Sequence, residues 1–221
     1  MLPRVLETEL MDSADEARQY DAMDHRAVNC QFVEDLLAVC PEPKDVLDVG
    51  TGTALIPVEL CRRVATCRVM AADMSRAMLE QARYRIEIAG LIARIQLDRS
   101  DAKRMLYKDG MFDVVMCNGT LHHFADPSLV LGESLRVTTA GGWLFFRDLL
   151  RPPDIATLDQ LVVTYAGEAN EFQQQMFRQS LQAALNLDEM RAAITALGFD
   201  PETVQTTSDR HWTWCACKPA V

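Results

Sequence analysis

The sequence predicts an α/β fold built on one sheet, and three observations carry that prediction. Short apolar runs alternate with helical patterns between residues 41 and 150. The first of these runs ends in a tight glycine turn, and after Pro152-Pro153 the alternation gives way to helices. Repeated strand–helix units of this size imply a parallel sheet, covered on both faces and wound right-handed.

The elements follow in order. Ser13, with Glu16 three residues on, marks the start of a helix reaching about Met23. A second helix covers residues 26–39, where Val28, Phe32, Leu36 and Val39 recur at helical spacing. Pro41 and Pro43 then punctuate the chain. Val46-Leu47-Asp48-Val49 reads as a short buried strand, followed by a helix over 55–64. Residues 68–72 form the second strand, and Ser75 caps a helix through Met78, Ala82 and Ile86 that stops at Gly90. The third strand is expected at 92–97 and the fourth at 112–117. Asp126-Pro127 opens a helix that ends before Gly141-Gly142, and 143–146 is the fifth strand. Residues 155–166 and 171–185 read as helices, and Asn186 with Glu189 forms a capping box for a helix ending at Gly198. The tail at 211–217, HWTWCAC, alternates as a strand and is expected to join the sheet antiparallel, at or next to an edge.

The 221 residues, 49% of them hydrophobic, suffice for one domain with a full core. With 22 basic against 32 acidic residues and a net charge of −10, a nucleic-acid partner is not expected. No stretch approaches the ~18–20 unbroken apolar residues of a membrane helix. The opening MLPRVLETELM carries acids and a proline where a secretory signal needs a basic end and an apolar run. The seven cysteines, at 30, 40, 61, 67, 117, 215 and 217, contain no CxxC pair. They read as reduced thiols of a cytoplasmic protein, without a zinc site.

In an open α/β sheet, ligands bind beyond the carboxyl ends of the strands, where the winding direction reverses. The first strand is followed by Gly50-Thr51-Gly52-Thr53, whose glycines let a backbone approach a ligand or simply turn tightly. A dinucleotide fingerprint would need glycine at position 55, which is Leu55, and no P-loop pattern is present. About 20 residues beyond the loop, Asp73 ends the second strand; a carboxylate there suits a ribose diol or a helix N-terminus. Asp98-Arg99-Ser100-Asp101-Ala102 follows the third strand, and Asn118-Gly119-Thr120-Leu121-His122-His123-Phe124 the fourth. Small polar groups therefore follow four successive strands.

Across residues 41–150 these motifs resemble those of class I S-adenosylmethionine-dependent methyltransferases, in the small-molecule branch that includes quinone-ring methyltransferases. The resemblance implies a single, mostly parallel, seven-stranded Rossmann-like sheet with helices on both faces and an antiparallel last strand. It implies one methyltransferase domain over 1–221: an N-terminal helical lid at 1–40, a cofactor-binding core at 41–150, a helical insertion at 151–200 completing the lid, and final strands at 201–221. By resemblance, Gly50 and Gly52 face the methionine part of S-adenosylmethionine and Asp48 orders that region. A third family glycine is replaced by Ala54. Asp73 falls on the ribose acid, Met74 on the adenine face, Asp101 and Ala102 on the adenine edge, and Asn118 near the methionine end. Tyr20 resembles an N-terminal tyrosine that reaches the cofactor, or packs a helical lid.

The implied chemistry is in-line displacement at a methyl group carried on a sulfonium, with S-adenosylhomocysteine as product. The cofactor is already activated, so alignment and exclusion of water are the protein's main tasks and no metal is expected. A hydroxyl or enol acceptor needs a base, for which His122 and His123 are the candidates. Asp148 is expected either to orient the acceptor or to pair with Arg147, and Tyr165 and His211 either to line the acceptor pocket or to serve structure. The Asn/Asp-Pro-Pro-aromatic pattern of DNA amino methylation is missing, because Gly119-Thr120 follows Asn118. A small organic acceptor is the expectation; a homodimer stays open. The alternatives are a non-catalytic S-adenosylmethionine-binding regulator or partner subunit, and a nicotinamide oxidoreductase, which the missing third fingerprint glycine disfavours.

Overall fold

The computed structural model describes residues 2–7, 13–23 and 26–220, apart from the side chains of Glu16 and Tyr20. Seven strands form one sheet: β1 (Asp45–Val49), β2 (Arg68–Asp73), β3 (Ile95–Arg99), β4 (Phe112–Asn118), β5 (Thr138–Leu149), β6 (Val204–Ser208) and β7 (His211–Cys217). Their spatial order is β3-β2-β1-β4-β5-β7-β6. The pairs from β3 through β5 are parallel, while β7 runs antiparallel to both β5 and β6. The chain moves outward from β1 through β2 to β3, then returns to the other side of β1 with β4. The winding therefore reverses between β1 and β4, which is where such a sheet opens a ligand crevice.

Consecutive residues of the central strands are buried on opposite faces. Leu47, Val115 and Phe146 pack with Trp212, Trp214, Leu131 of α5 (Ser128–Val137) and Ile194 of α8 (Leu187–Ala196). Val46, Val114 and Phe145 pack on the other side against α2 (Arg26–Val39), α3 (Leu55–Arg63) and α4 (Arg76–Ile88), through Phe32, Leu60 and Ile86. Two apolar layers thus clamp the sheet and fix the register of the loops at its carboxyl end.

Local chemistry sets most boundaries. Ser75 accepts the Met78 N–H at 3.1 Å and starts α4, and the chain turns at Gly90 with φ +69°. Both capping-box bonds of Asn186 and Glu189 start α8. α1 (Ala14–Asp21) begins beside Ser13 and is shorter than expected. Three boundaries differ from expectation because partner strands set them. β3 starts at Ile95, not 92: residues 91–94 form a turn, and the Arg94 guanidinium donates to the carbonyls of Cys61, Val64 and Ala65. β5 starts at Thr138, before Gly141-Gly142, and absorbs the extra residues in a register shift opposite Phe112 and Val114. α7 (Glu171–Ala183) ends two residues early, and Leu185 instead bridges to Leu150. α6 (Ile155–Ala166) and β7 occupy the expected residues, and β7 is one strand in from the edge. No helix among the described residues is long and apolar enough to cross a membrane.

Candidate functional site

A cavity of ≈ 270 Å³ opens at the carboxyl ends of β1, β2 and β4. Its floor is the turn after β1. The N–H groups of Gly50 and Thr51 both donate to the Ala72 carbonyl, at 2.9 Å, which folds the turn back onto β2. Gly50 has φ +71°, and a Cβ there would stand 2.3 Å from the Thr120 side chain, so the turn and the segment after β4 lock together only with glycine. Gly52 also has positive φ, but a Cβ there would meet nothing within 4 Å: it faces open space.

Asp73, the last residue of β2, ties this floor to α4. One carboxylate oxygen accepts the Gly52 N–H and the other the Ser75 N–H, both at 2.8 Å. Beyond it, Met74 and Ser75 line one wall, and Asp101 and Ala102 the next; Asp101 accepts the Lys103 N–H at 2.9 Å. Asn118, Gly119, Thr120, His123 and Phe124 close the far side, and Asn29 of α2 contributes from above. Asp48 lies beneath the turn, 2% exposed. Burial, reinforced by the charge of Asp73, pushes its carboxyl up to about 7.

Of the nine residues expected at the cofactor, eight line this one cleft: Asp48, Gly50, Gly52, Asp73, Met74, Asp101, Ala102 and Asn118. The ninth, Tyr20, belongs to α1, with its side chain outside the described residues. α1 packs Ala17 against Ala77 and Met78, and Asp21 pairs with Arg85, whose Nε donates to the Thr53 carbonyl at 2.9 Å.

The two candidate bases part company. His123 lines the cleft. His122 is buried beside it, its Nδ1 2.7 Å from Asp148 and its Nε2 3.1 Å from Glu7. Burial alone would lower its pKa, but Asp148 and then Glu7 outweigh that and raise it to about 10. His122 thus sits in an ion-paired cluster beside the cleft, while His123 lines the cleft itself. Asp148 pairs with His122 and not with Arg147, which instead pairs with Asp35 at 2.6 Å and donates to Thr213 at 2.8 Å.

Tyr165 stands apart on α6, its hydroxyl donating to Asp209 at 2.6 Å and its ring under the Arg210 guanidinium. His211 lies 2.8 Å from the Ser208 hydroxyl in a second cavity of ≈ 580 Å³ with Arg147. Burial first, then Arg210 and Arg147, lowers His211 to about 4. The two cavities share Asn118.

Glu7, missed in the sequence, contributes to a buried cluster. Its Oε1 is also 3.2 Å from Nδ1 of His123. Burial raises Glu7, but the His122 hydrogen bond and the charges of both histidines outweigh it and leave the carboxyl below its ordinary value. Glu7, His122 and His123 place ligand-type atoms within 4.8 Å of one another and could hold a metal ion. Both ring nitrogens of His122 lie within 3.1 Å of a carboxylate oxygen, Nδ1 of Asp148 and Nε2 of Glu7. No local pattern in MLPRVLETELM signals this role; it arises only where the segment meets residues 121–125.

Residues 47–146 match the family described as methyltransferase domain. A demethylmenaquinone methyltransferase of Thermus thermophilus is 36% identical over 117 residues, 53% of this chain and 52% of that protein. A 27-O-demethylrifamycin SV methyltransferase of Amycolatopsis mediterranei is 30% identical over 166 residues, 74% of this chain and 56% of that one. The chain thus spans about half the length of these curated relatives. Among solved structures, a SAM-dependent methyltransferase from Aquifex aeolicus superposes with TM-score 0.65 at 16% identity, covering 93% of this chain and 98% of that one. The plantazolicin methyltransferase BpumL in complex with SAH gives 0.72 at 14% identity, over 93% and 90%. At such identities the two structures establish the fold.

Proposed function

We propose that the chain is a class I S-adenosylmethionine-dependent methyltransferase, a reading that the methyltransferase-domain match and the two relatives support, that the cleft between β1 and β4 binds S-adenosylmethionine, and that the protein passes its methyl group to a small organic acceptor. The gathering of eight expected residues, from the ends of four successive strands, on one cleft carries this reading. Three acids, Asp48, Asp73 and Asp101, line it, which suits a cationic ligand. The buried Thr53 hydroxyl has no partner among the described residues, and a polar ligand group would satisfy it.

In this reading Gly50, Gly52 and Asp48 adjoin the methionine end, and Asp73 accepts from the ribose hydroxyls. Met74 lies on the adenine, Asp101 and Ala102 contact its edge, Asn118 stands near the methyl, and Tyr20 adds a contact from α1. The cofactor, when bound, supplies a methyl group already activated on a sulfonium, so the reaction needs no metal. What remains for the chain is to align the acceptor, keep water out and take up a proton, and His123 is the group for the last of these. His122 and Asp148 hold the His123 segment in place. Residues 1–40 and 151–200 serve as lid over the core at 41–150. The names of the two relatives, with a quinone and a rifamycin as the methylated molecules, support a small organic acceptor. Seven free thiols fit a protein working in the reducing cytoplasm.

Calorimetric titration with S-adenosylmethionine tests the reading. Binding in the micromolar range is expected, and loss of most of it in Asp73→Asn, which removes the charge and leaves an acceptor for only one of the two N–H groups that Asp73 braces. If wild-type protein freed of co-purified ligand gives neither heat nor thermal stabilisation, the proposal fails.

A further inference from the structure

The cavity of ≈ 580 Å³ that holds His211 adjoins the cofactor cleft, and its size falls within the ~300–1,000 Å³ of small-molecule sites. It opens between α2, β5 and the β6–β7 hairpin and meets the cleft at Asn118. Its lining reverses the charge next door. The cleft sets Asp48, Asp73 and Asp101 against Lys103, whereas this cavity sets Arg147 and Arg210 against Asp35.

Arg147 is built into the fold. It is 9% exposed, and its guanidinium carbon lies 5.7 and 5.8 Å from the ring centres of Phe32 and Phe145. Its Nε donates to the Thr213 hydroxyl at 2.8 Å and its Nη2 to Oδ2 of Asp35 at 2.6 Å. These bonds use two of the five N–H groups of a guanidinium and leave donors for a ligand. The other oxygen of Asp35 accepts from the Gln31 amide at 2.8 Å. Arg210 enters from the hairpin, and its partner Asp209 stands outside the lining, more than half exposed, where water screens it. Arg210 and Arg147 also help burial to keep His211 uncharged. The lining therefore carries one positive charge in excess, in a chain of net charge −10. A carboxylate matches that excess, and its planar pair of oxygens suits a guanidinium fork.

We infer that this second cavity seats the methyl acceptor, and that the acceptor carries a carboxylate held by Arg147 and Arg210. The role as acceptor seat rests on the methyl-transfer reading; the affinity for a carboxylate does not. The two neighbouring sites then sort their ligands by charge, a cation to the acids and an anion to the arginines.

His211 lines the cavity, and the chain has only four histidines, so its ring-proton NMR resonance reports occupancy. His211→Gln assigns that resonance. Acetate, titrated into the full chain at neutral pH and constant ionic strength, should shift it saturably, with an affinity about tenfold above that of the neutral acetamide. Arg147→Gln should abolish that preference, and Arg210→Gln, which leaves the Arg147–Asp35 pair in place, should reduce it; circular dichroism verifies that both variants fold. No saturable shift, an equal response to acetamide, or the full preference retained in both folded variants would overturn the inference. With labelled S-adenosylmethionine, organic acids should accept the methyl group in preference to their amides, and acetate should inhibit; transfer to neutral acceptors alone, undiminished by acetate, would overturn it as well. Acetate binding by a chain that does not bind S-adenosylmethionine would instead sink the methyl-transfer reading and leave the carboxylate site standing.

Discussion

Asp48 sits where burial and charge work against it. Its folded pKa of about 7 lies above the ordinary aspartate value, so its protonated form stabilises the fold. That contribution is complete below the unfolded pKa and is lost as pH rises through about 7, on the order of 4 kcal/mol in all. Asp48→Asn should therefore gain on wild type between pH ~5 and ~8, as read by urea unfolding at the two values; a constant difference would contradict the assigned shift. Ala54 raises a different balance. It holds φ 60°, the left-handed region in which a non-glycine residue costs ~1–2 kcal/mol. Its methyl is fully buried, worth ~0.8 kcal/mol, and glycine would add chain entropy worth ~0.5–1 kcal/mol in the unfolded state. Ala54→Gly is thus expected within about 1 kcal/mol of wild type, whereas Ala54→Val, branched at Cβ, should cost more than about 2 kcal/mol by thermal unfolding. The residues around the turn were legible because turn geometry, strand ends and a carboxylate each leave a local signature. Glu7 was not, since its partners stand more than a hundred positions away.

At the level of elements, one link between α1 and the cleft runs through Arg85 of α4. Arg85 on α4 donates to the Thr53 carbonyl of the turn and pairs with Asp21 at the end of α1. If α1 is part of the lid, Arg85→Ala should weaken S-adenosylmethionine binding about tenfold, roughly 1.4 kcal/mol, while the sheet stays intact by circular dichroism. Unchanged affinity would detach α1 from the site. Helix starts read well from sequence where a side chain caps its own backbone, as at Ser75 and Asn186. Strand limits read less well. β5 begins four residues before Gly142 because β4 offers it a partner across a bulge, and β6 exists because β7 pairs with it. Periodicity reports what a segment buries, and pairing decides how far it extends.

For the whole molecule, a ligand that binds only the folded state raises apparent stability by mass action, by ~2.7 kcal/mol at 100 times its Kd. Saturating S-adenosylmethionine should accordingly raise the melting temperature by several degrees, and NAD(H) should not; the reverse pattern would favour the oxidoreductase alternative. The order of strands was foreseeable only in outline, since sequence indicates an antiparallel tail but not which strands flank it. That placement has a kinetic side. β7 lies between β5 and β6, so the fifth strand keeps an open edge, and the sixth has no partner, until residues 211–217 leave the ribosome. The helices of 155–196 must form or wait while that gap persists, and such long-range pairing slows folding. Trp212 and Trp214, both fully buried, ride on this last strand. Their fluorescence change during refolding therefore marks the moment the sheet is sealed.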